Sequence, residues 1–379
     1  MRVRSDPTRK RPLALNHVLR ITLRCVALLA LFLLVGATTK AQSEAEQTSM
    51  QLVRVFQAGQ EGYHTYRIPA LVVTTKGTML AFCEGRKNSA ADCGDSDLVL
   101  RRSMDGGQTW GPIQVILDDG NNTVANPCPL VDRRTGAVIL LMNSLVTTSR
   151  DEGATWSPPI NISGQIGKPD WRCYLAGPGH GIQLMDGRLV APCYHVTGPK
   201  ITDVHSHIIF SDDGGIQWQL GGILDVKTDE STVLERADGS LYLNMRNYRG
   251  THHRAYAFSR DRGMTWSPVA EDETLVEPVC QGAVLRFSTE KTSGKNRVLF
   301  SNPASTRREN LTVRLSYDEC KTWPVAKTLW TGPAAYSDLA VTADGTIGCL
   351  FECGEKYSCE AITLALFTLE WLTQNADHS

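Results

Sequence analysis

One phrase recurs in this chain and limits its possible folds more than any other feature. It reads Ser103-Met104-Asp105-Gly106-Gly107-Gln108-Thr109-Trp110, and the pattern Ser-x-Asp-x-Gly-x-x-Trp returns at Ser149–Trp156, Ser211–Trp218 and Ser259–Trp266. A fifth copy runs Ser316–Trp323, with Cys320 where the glycine should be. Successive copies begin 46, 62, 48 and 57 residues apart, a spacing that belongs to solenoids and propeller blades. The phrase has a physical logic. Asp bonds its own backbone and Gly accepts a positive φ, so together they make a tight turn. The Trp is large enough to pin that turn to a neighbouring strand.

A second repeat lies between the copies. Paired β-branched runs flank glycine-containing turns at 68–73 and 78–82, 128–131 and 137–142, 181–184 and 188–193, 231–234 and 240–245, 282–287 and 296–300, and 338–341 and 346–351. Each pair reads as a β-hairpin. Five of the six are followed by a third strand ending in the Trp phrase, and a fourth strand can follow each. The run 361–369 supplies a further strand to the last unit, and 52–56 can complete it and close the ring. The expected fold is therefore all-β, a six-bladed β-propeller of four-stranded antiparallel blades, which leaves few exposed edges.

The termini and charge bound the function. Eight of the 39 Lys and Arg residues, but only Asp6 of the 40 acidic ones, lie in residues 1–41. The remainder carries a net charge of −8, which gives no electrostatic reason to bind nucleic acid. The basic start precedes the apolar run Cys25–Gly36, short for a membrane span but suited to a secretory signal ending near Thr39-Lys40-Ala41. The expected organisation is a signal peptide or N-terminal membrane anchor over 1–41, then the propeller over 42–379. Export follows, with membrane attachment only if the segment is uncleaved. Cysteine and histidine spacing shows no zinc pattern, so neither metal nor cofactor is expected. His205 and His207 alternate along a strand and share one face.

The hairpin frame predicts which residues meet. In an antiparallel blade, the start of strand one, the end of strand two and the start of strand three lie at one end, and the Trp phrase lies at the other. Arg67, Arg86, Asp92, Glu230, Arg246, Arg308, Tyr336 and Glu352 fall at the first end. Any one of them could be an ordinary solvated loop residue. Their recurrence at strand ends in four units argues for a shared mouth. Three arginines there would suit a small carboxylate, since guanidinium forks match its geometry. The substitution at Cys320 and the missing sixth phrase, being at the far end, should cost stability and not activity.

At these residues the sequence resembles a known family. Tyr66-Arg67-Ile68-Pro69, together with the Asp-box phrases, is similar to the exo-sialidases over roughly residues 52–370. The resemblance implies retaining hydrolysis of terminal α-linked sialic acid from glycoproteins, glycolipids and oligosaccharides. It implies that Arg67, Arg246 and Arg308 hold the sialic acid carboxylate, with Arg307 as the alternative third arginine. Tyr336 corresponds to the nucleophile, Glu230 to its base and Glu352 to the acid that orients Arg67. Asp92, six residues after Arg86, corresponds to the acid/base, with Asp95 and Asp97 as rivals. Trp171 is a candidate for the glycerol or N-acetyl side of the pocket, or else a structural Trp. Gln281 and Asn126 fall near the same mouth. A trans-sialidase, or an inactive sialic-acid-binding propeller lectin, would share much of this pattern.

Overall fold

A computed structural model describes residue 1 and residues 49–378. The proposed signal or anchor over 1–41 lies outside the described residues from its second position onward. Residues Met50–Ser379 form one compact unit. No helix among the described residues is long and apolar enough to cross a membrane.

The unit is a β-propeller built almost wholly of antiparallel strands. After β1 (Gln51–Gln57), a four-stranded sheet comprises β2 (Thr65–Val73), β3 (Met79–Arg86), β4 (Ser96–Ser103) and β5 (Gln114–Leu117). A second comprises β6 (Cys128–Val131), β7 (Val138–Met142), β8 (Leu145–Ser149) and β9 (Ile160–Asn161). In a five-stranded sheet, β10 (Cys173–Ala176) and β11 (Ile182–Gln183) both pair β12 (Leu189–Val196), which leads to β13 (Val204–Ser211) and β14 (Gln219–Val226). A further four-stranded sheet holds β15 (Thr228–Glu235), β16 (Leu241–Asn247), β17 (His253–Ser259) and β18 (Ala270–Val276). The last strands are β19 (Ala283–Ser288), β20 (Arg297–Pro303), β21 (Glu309–Ser316), β22 (Val325–Val341), β23 (Ile347–Cys353) and β24 (Ala361–Phe367). With β1 they form one seven-stranded sheet, in the order β1-β24-β23-β22-β21-β20-β19.

The strands therefore do not form six separate four-stranded sheets, as the hairpin count led one to expect. Two local features account for the difference. The expected fourth strand of unit five and first strand of unit six are a single 17-residue strand, β22, which pairs β21 through its first half and β23 through its second. In unit three the expected first strand is only the two residues of β11, and β10 occupies the rest of that edge.

The expected ring closure is present: β1 pairs β24 antiparallel, with Gln51 opposite Leu366. Burial grades outward across a sheet. Every residue of β3 is buried, whereas β5 has none fully buried. Sheets pack face to face through apolar clusters. Val72, Leu80 and Phe82 meet Val138 and Leu140. Cys128 and Ile139 meet Ala191 and Ile209. Val190 and Ile208 meet Leu241 and Leu243. Each fully buried side chain of this size contributes about 1.5–3 kcal/mol.

The Trp phrases all form the same turn at the end of a third strand. Ser103 Oγ donates to Asp105 Oδ1 at 2.7 Å and accepts from Gly107 N at 2.8 Å, while Asp105 accepts from the Thr109 backbone and hydroxyl. Equivalent bonds recur from Ser149, Ser211, Ser259 and Ser316. The residue at the glycine position has φ of 92° in Gly107 and 68° in Cys320, so Cys320 holds the turn in a left-handed backbone. Its side chain is buried with Tyr242, Phe300 and Trp323, which fills the space the phrase leaves there.

Candidate active site

The polar residues expected at the mouth are brought together by three irregularities in the strand register. In β2, Arg67 pairs Glu84 but Ala70 pairs Phe82, so three steps oppose two. In β15, Thr228 pairs Asn247 but Ser231 pairs Met245. In β22, Ala334 pairs Cys353 but Ser337 pairs Phe351. Each is a β-bulge, which inserts one residue and re-aims the side chains beside it. The first bulge contains Ile68 at φ 61°, a left-handed conformation that costs a β-branched residue about 1–3 kcal/mol. The second contains Asp229 and Glu230. The third contains Ala335 and Tyr336. A regular strand would send Asp229 and Glu230 to opposite faces; here both approach Arg246.

Tyr336 is the centre of the cluster. Its hydroxyl donates to Glu230 Oε1 at 2.5 Å and accepts from an Arg246 terminal nitrogen at 3.1 Å. The same Arg246 nitrogen donates to Glu230 Oε2 at 2.8 Å. The guanidinium carbons of Arg67 and Arg308 lie 5.4 and 5.6 Å from the centre of the Tyr336 ring. Tyr336 and Glu230 are both buried. Burial, reinforced by the Glu230 carboxylate, holds the Tyr336 hydroxyl well above its ordinary pKa, against the opposing pull of Arg246 and Arg308. Its proton is therefore lost only when an acceptor takes it directly, and Glu230 is in hydrogen-bond contact.

Glu352 fixes this centre from below. It is fully buried and accepts from Arg67 Nε at 2.7 Å and from Ile68 N at 2.8 Å. Of the two neighbouring arginines, Arg308 approaches Tyr336, whereas Arg307 is exposed and paired with Glu309 at 3.0 Å.

The three acids after Arg86 separate. Asp92 is exposed and lies 2.9 Å from Arg86 and 3.9 Å from Arg67. Asp95 and Asp97 are each 3.0 Å from Lys87 Nζ, and Asp97 also accepts from Tyr63 at 2.7 Å. Arg86 is buried and its guanidinium is already engaged by Glu84, the Ala90 carbonyl and Asp92. It supports the Asp92 loop from inside.

Trp171 belongs to a group of stacked and tilted rings. It stacks on His195 with centroids 3.7 Å apart, and its other ring partners are Tyr174 and His207. His205 stacks on His195 as well, and His207 Nδ1 is 3.0 Å from His195 Nδ1. Burial lowers the pKa of His195 to about 4. Gln281 bonds both backbone groups of Ser337, the residue after the tyrosine, at 3.0 Å. Asn126 bonds Glu84 and Tyr194. Both support neighbouring groups.

Two residues of the cluster were not anticipated. Asp229 is buried beside Glu230, with Oδ2 3.8 Å from Arg246 Nε. Burial, and then the Glu230 charge, raises its pKa to about 7. Tyr248 lies under the Arg246 guanidinium, 5.0 Å from ring centre to carbon. The acidic pair in sequence was the available signal for Asp229; nothing in the sequence marks Tyr248. A cleft of about 750 Å³ between Trp266, Tyr256, Arg236 and Asp272 lies at the opposite end and contains none of the tyrosine cluster.

Turns built on five copies of one phrase, framing a mouth of arginines and acids, define a class of repeat propeller. Residues 77–349 match the BNR repeat-like domain family. The chain is 34% identical to a sialidase of Micromonospora viridifaciens over 350 residues, covering 83% of this chain and 53% of that protein. It is 32% identical to human Sialidase-3 over 385 residues, covering 80% of this chain and 89% of that protein. Among solved structures, a microbial sialidase designated Hadza Hz136 superposes with a TM-score of 0.77 at 33% identity, covering 85% of this chain and 69% of that one. The chain belongs to the sialidase family. It spans about half the length of the Micromonospora relative.

Proposed function

We propose that this protein is an exo-α-sialidase that hydrolyses terminal α-linked sialic acid from glycoproteins, glycolipids and oligosaccharides with retention. The observation that carries this reading is the 2.5 Å bond from the Tyr336 hydroxyl to Glu230 inside a cage of three arginines. Sialic acid bears a carboxylate on its anomeric carbon. Arg67, Arg246 and Arg308 supply a matching cationic pocket, and Glu352 orients Arg67. A carboxylate nucleophile would approach a like charge, so a neutral tyrosine suits the task, and sialidases are among the glycosidases that use one.

In this reading, Glu230 takes the Tyr336 proton as the phenol oxygen attacks the anomeric carbon. Asp92 gives a proton to the departing glycosidic oxygen. Asp92 then takes a proton from water, which attacks the anomeric carbon, and the Tyr336–carbon bond breaks as Glu230 returns its proton. Two displacements restore the original configuration. Asp92 is supported over Asp95 and Asp97 because it faces Arg67 while the other two are held by Lys87.

The propeller is read as six blades. Support comes from the seven-stranded sheet, whose two parts pack against each other: Leu299, Val313 and Leu315 of β20 and β21 meet Cys349, Phe351 and Phe367 of β23 and β24. Such facing contacts are what two successive blades make, with β22 serving both. Export is supported by the basic start and the apolar run Cys25–Gly36.

A fluorogenic aryl sialoside tests the activity directly. Release of the fluorophore by the wild type and its loss in Tyr336→Phe is the expected result. Binding of the sialoside without release would instead describe a lectin, and a sialylated product formed from added lactose would describe a transferase.

A further inference from the structure

We propose that Asp229 is a positioning residue whose charge state sets how strongly the arginine pocket holds an anionic substrate. The inference rests on the arginine-pocket reading above and adds to it a residue with no assigned role.

Three observations carry it. First, the β15 bulge turns both Asp229 and Glu230 toward Arg246, so one guanidinium faces two carboxylates. Second, the bonding is uneven. Arg246 makes a 2.8 Å bond to Glu230, but Asp229 stops at 3.8 Å from Nε. Asp229 Oδ1 and Arg246 Nε are both buried atoms without a hydrogen-bond partner. An ionised carboxylate buried this way is costly unless it engages that nitrogen. Third, the groups around Asp229 provide little positive charge. On its own strand it faces Glu230; from β16 it faces Arg246, and just beyond β16, Tyr248, whose hydroxyl favours its charged form. Tyr194 of β12 and Cys173 of β10 lie near it as neutral groups, and Ser206 of β13 donates to its backbone carbonyl. Arg246 is the single cation among these, and Glu230 already claims it.

The consequence is a charge balance. With Asp229 neutral, Arg246 carries one negative partner and keeps attraction for an incoming carboxylate. With Asp229 ionised, the guanidinium faces two negative partners before substrate arrives, and the pocket binds an anion more weakly. Burial and Glu230 place that ionisation at about 7, so the change falls within the range in which the enzyme can be assayed. Sialic acid remains ionised throughout that range, so the effect belongs to the protein.

The test is steady-state kinetics of wild type and Asp229→Asn on an aryl sialoside between pH 5.5 and pH 8.5, with folding followed by circular dichroism. For the wild type, KM is expected to rise by up to ~tenfold per pH unit above about 7, the limit for one ionisation, with a smaller change in kcat. For Asp229→Asn, KM should vary less than ~twofold over the same range. Tyr248→Phe provides the second arm: it removes a hydroxyl that favours the ionised carboxylate, so the rise in KM should move to higher pH. A wild-type KM that does not rise, or an equal rise in Asp229→Asn, overturns the proposal. If Asp229→Asn does not fold, an unmoved rise in Tyr248→Phe overturns it. Full turnover by Tyr336→Phe would instead remove the underlying mechanism, so the two failures are distinguishable.

Discussion

At one end of the blades, five turns repeat the same bonds between a serine, an aspartate and the backbone of the residue four positions on. At the other end, the mouth is shaped by register breaks in three strands, at Ile68–Pro69, Asp229–Glu230 and Ala335–Tyr336, and no two of these breaks carry the same residues. The first end solves one geometric problem five times, so it leaves a repeating signature. The second assembles a different part of one pocket from each strand. Repetition marks the frame, and departure from it marks the chemistry. Bulges recur beside active sites for this reason: they point a side chain where a regular pleat cannot.

The contrast predicts that damage at the two ends is felt differently. The largest effect is expected from Tyr336→Phe, which removes the hydroxyl that Glu230 contacts. Turnover of an aryl sialoside should fall about 10³-fold or more, while the melting temperature stays within a few degrees; substantial residual turnover would break the division between chemistry and frame. Next is Arg308→Lys, which keeps the charge but loses the planar fork. A loss in kcat/KM of roughly 10- to 100-fold, carried mainly by KM, is expected.

At the frame end the expected order is reversed. Gly107→Ala requires a Cβ 2.6 Å from Leu364 Cδ2 in a left-handed backbone. It should destabilise by about 2–4 kcal/mol in a denaturant titration without changing kcat/KM of the folded fraction. Acid should act at the same turns. Asp105, Asp151 and Asp261 are held at a pKa of about 2, each by a threonine hydroxyl first and by backbone N–H groups. Their folded values lie below the unfolded aspartate value of about 3.9. The stability they contribute is therefore present above about pH 4 and lost as pH falls toward 2. Thermal melts from pH 5 to pH 2 should show this loss, and Asp105→Asn should reduce its steepness. The smallest effect belongs to Cys320→Gly. Glycine relieves the left-handed strain of Cys320 but empties its place beside Tyr242 and Trp323. The two terms offset, and a change within ~1 kcal/mol is expected.

Most of the frame was legible because its signals are local. A turn phrase and a hairpin each declare themselves within about twenty residues, so the strand pairing inside each hairpin could be read directly, and the leftover first strand was assigned to closure because the last unit lacked a strand. The merging of two strands into β22 was not legible. Nothing in the run 325–341 marks continuity, which is set by the partners on either side. At the mouth, residue types and strand ends placed Arg67, Glu230, Arg246, Arg308, Tyr336 and Glu352 near one another. The register breaks were hidden, since one extra residue leaves no mark on an apolar pattern. Asp229 was missed on that account: alternation assigns it to the face opposite Glu230. Arg86 was placed at the same mouth, and the bond from its guanidinium to Glu84, two positions back along the same strand, could not be read from the pattern.

The pairing of β1 with β24 also has a bearing on how the molecule is made. Gln51 meets Leu366, so one of the first described strands finds its partner only after more than three hundred intervening residues have been made. Such long-range closure is entropically costly and slow to form. During synthesis the early blades must persist as an open arc, with the edge that β24 will offer still absent. Assembly of the Arg67–Glu352 contact waits for the same event, because its two halves come from β2 and β23. The pocket is therefore among the last parts of the molecule to exist, and a nascent chain has no site with which to act until its ring has closed.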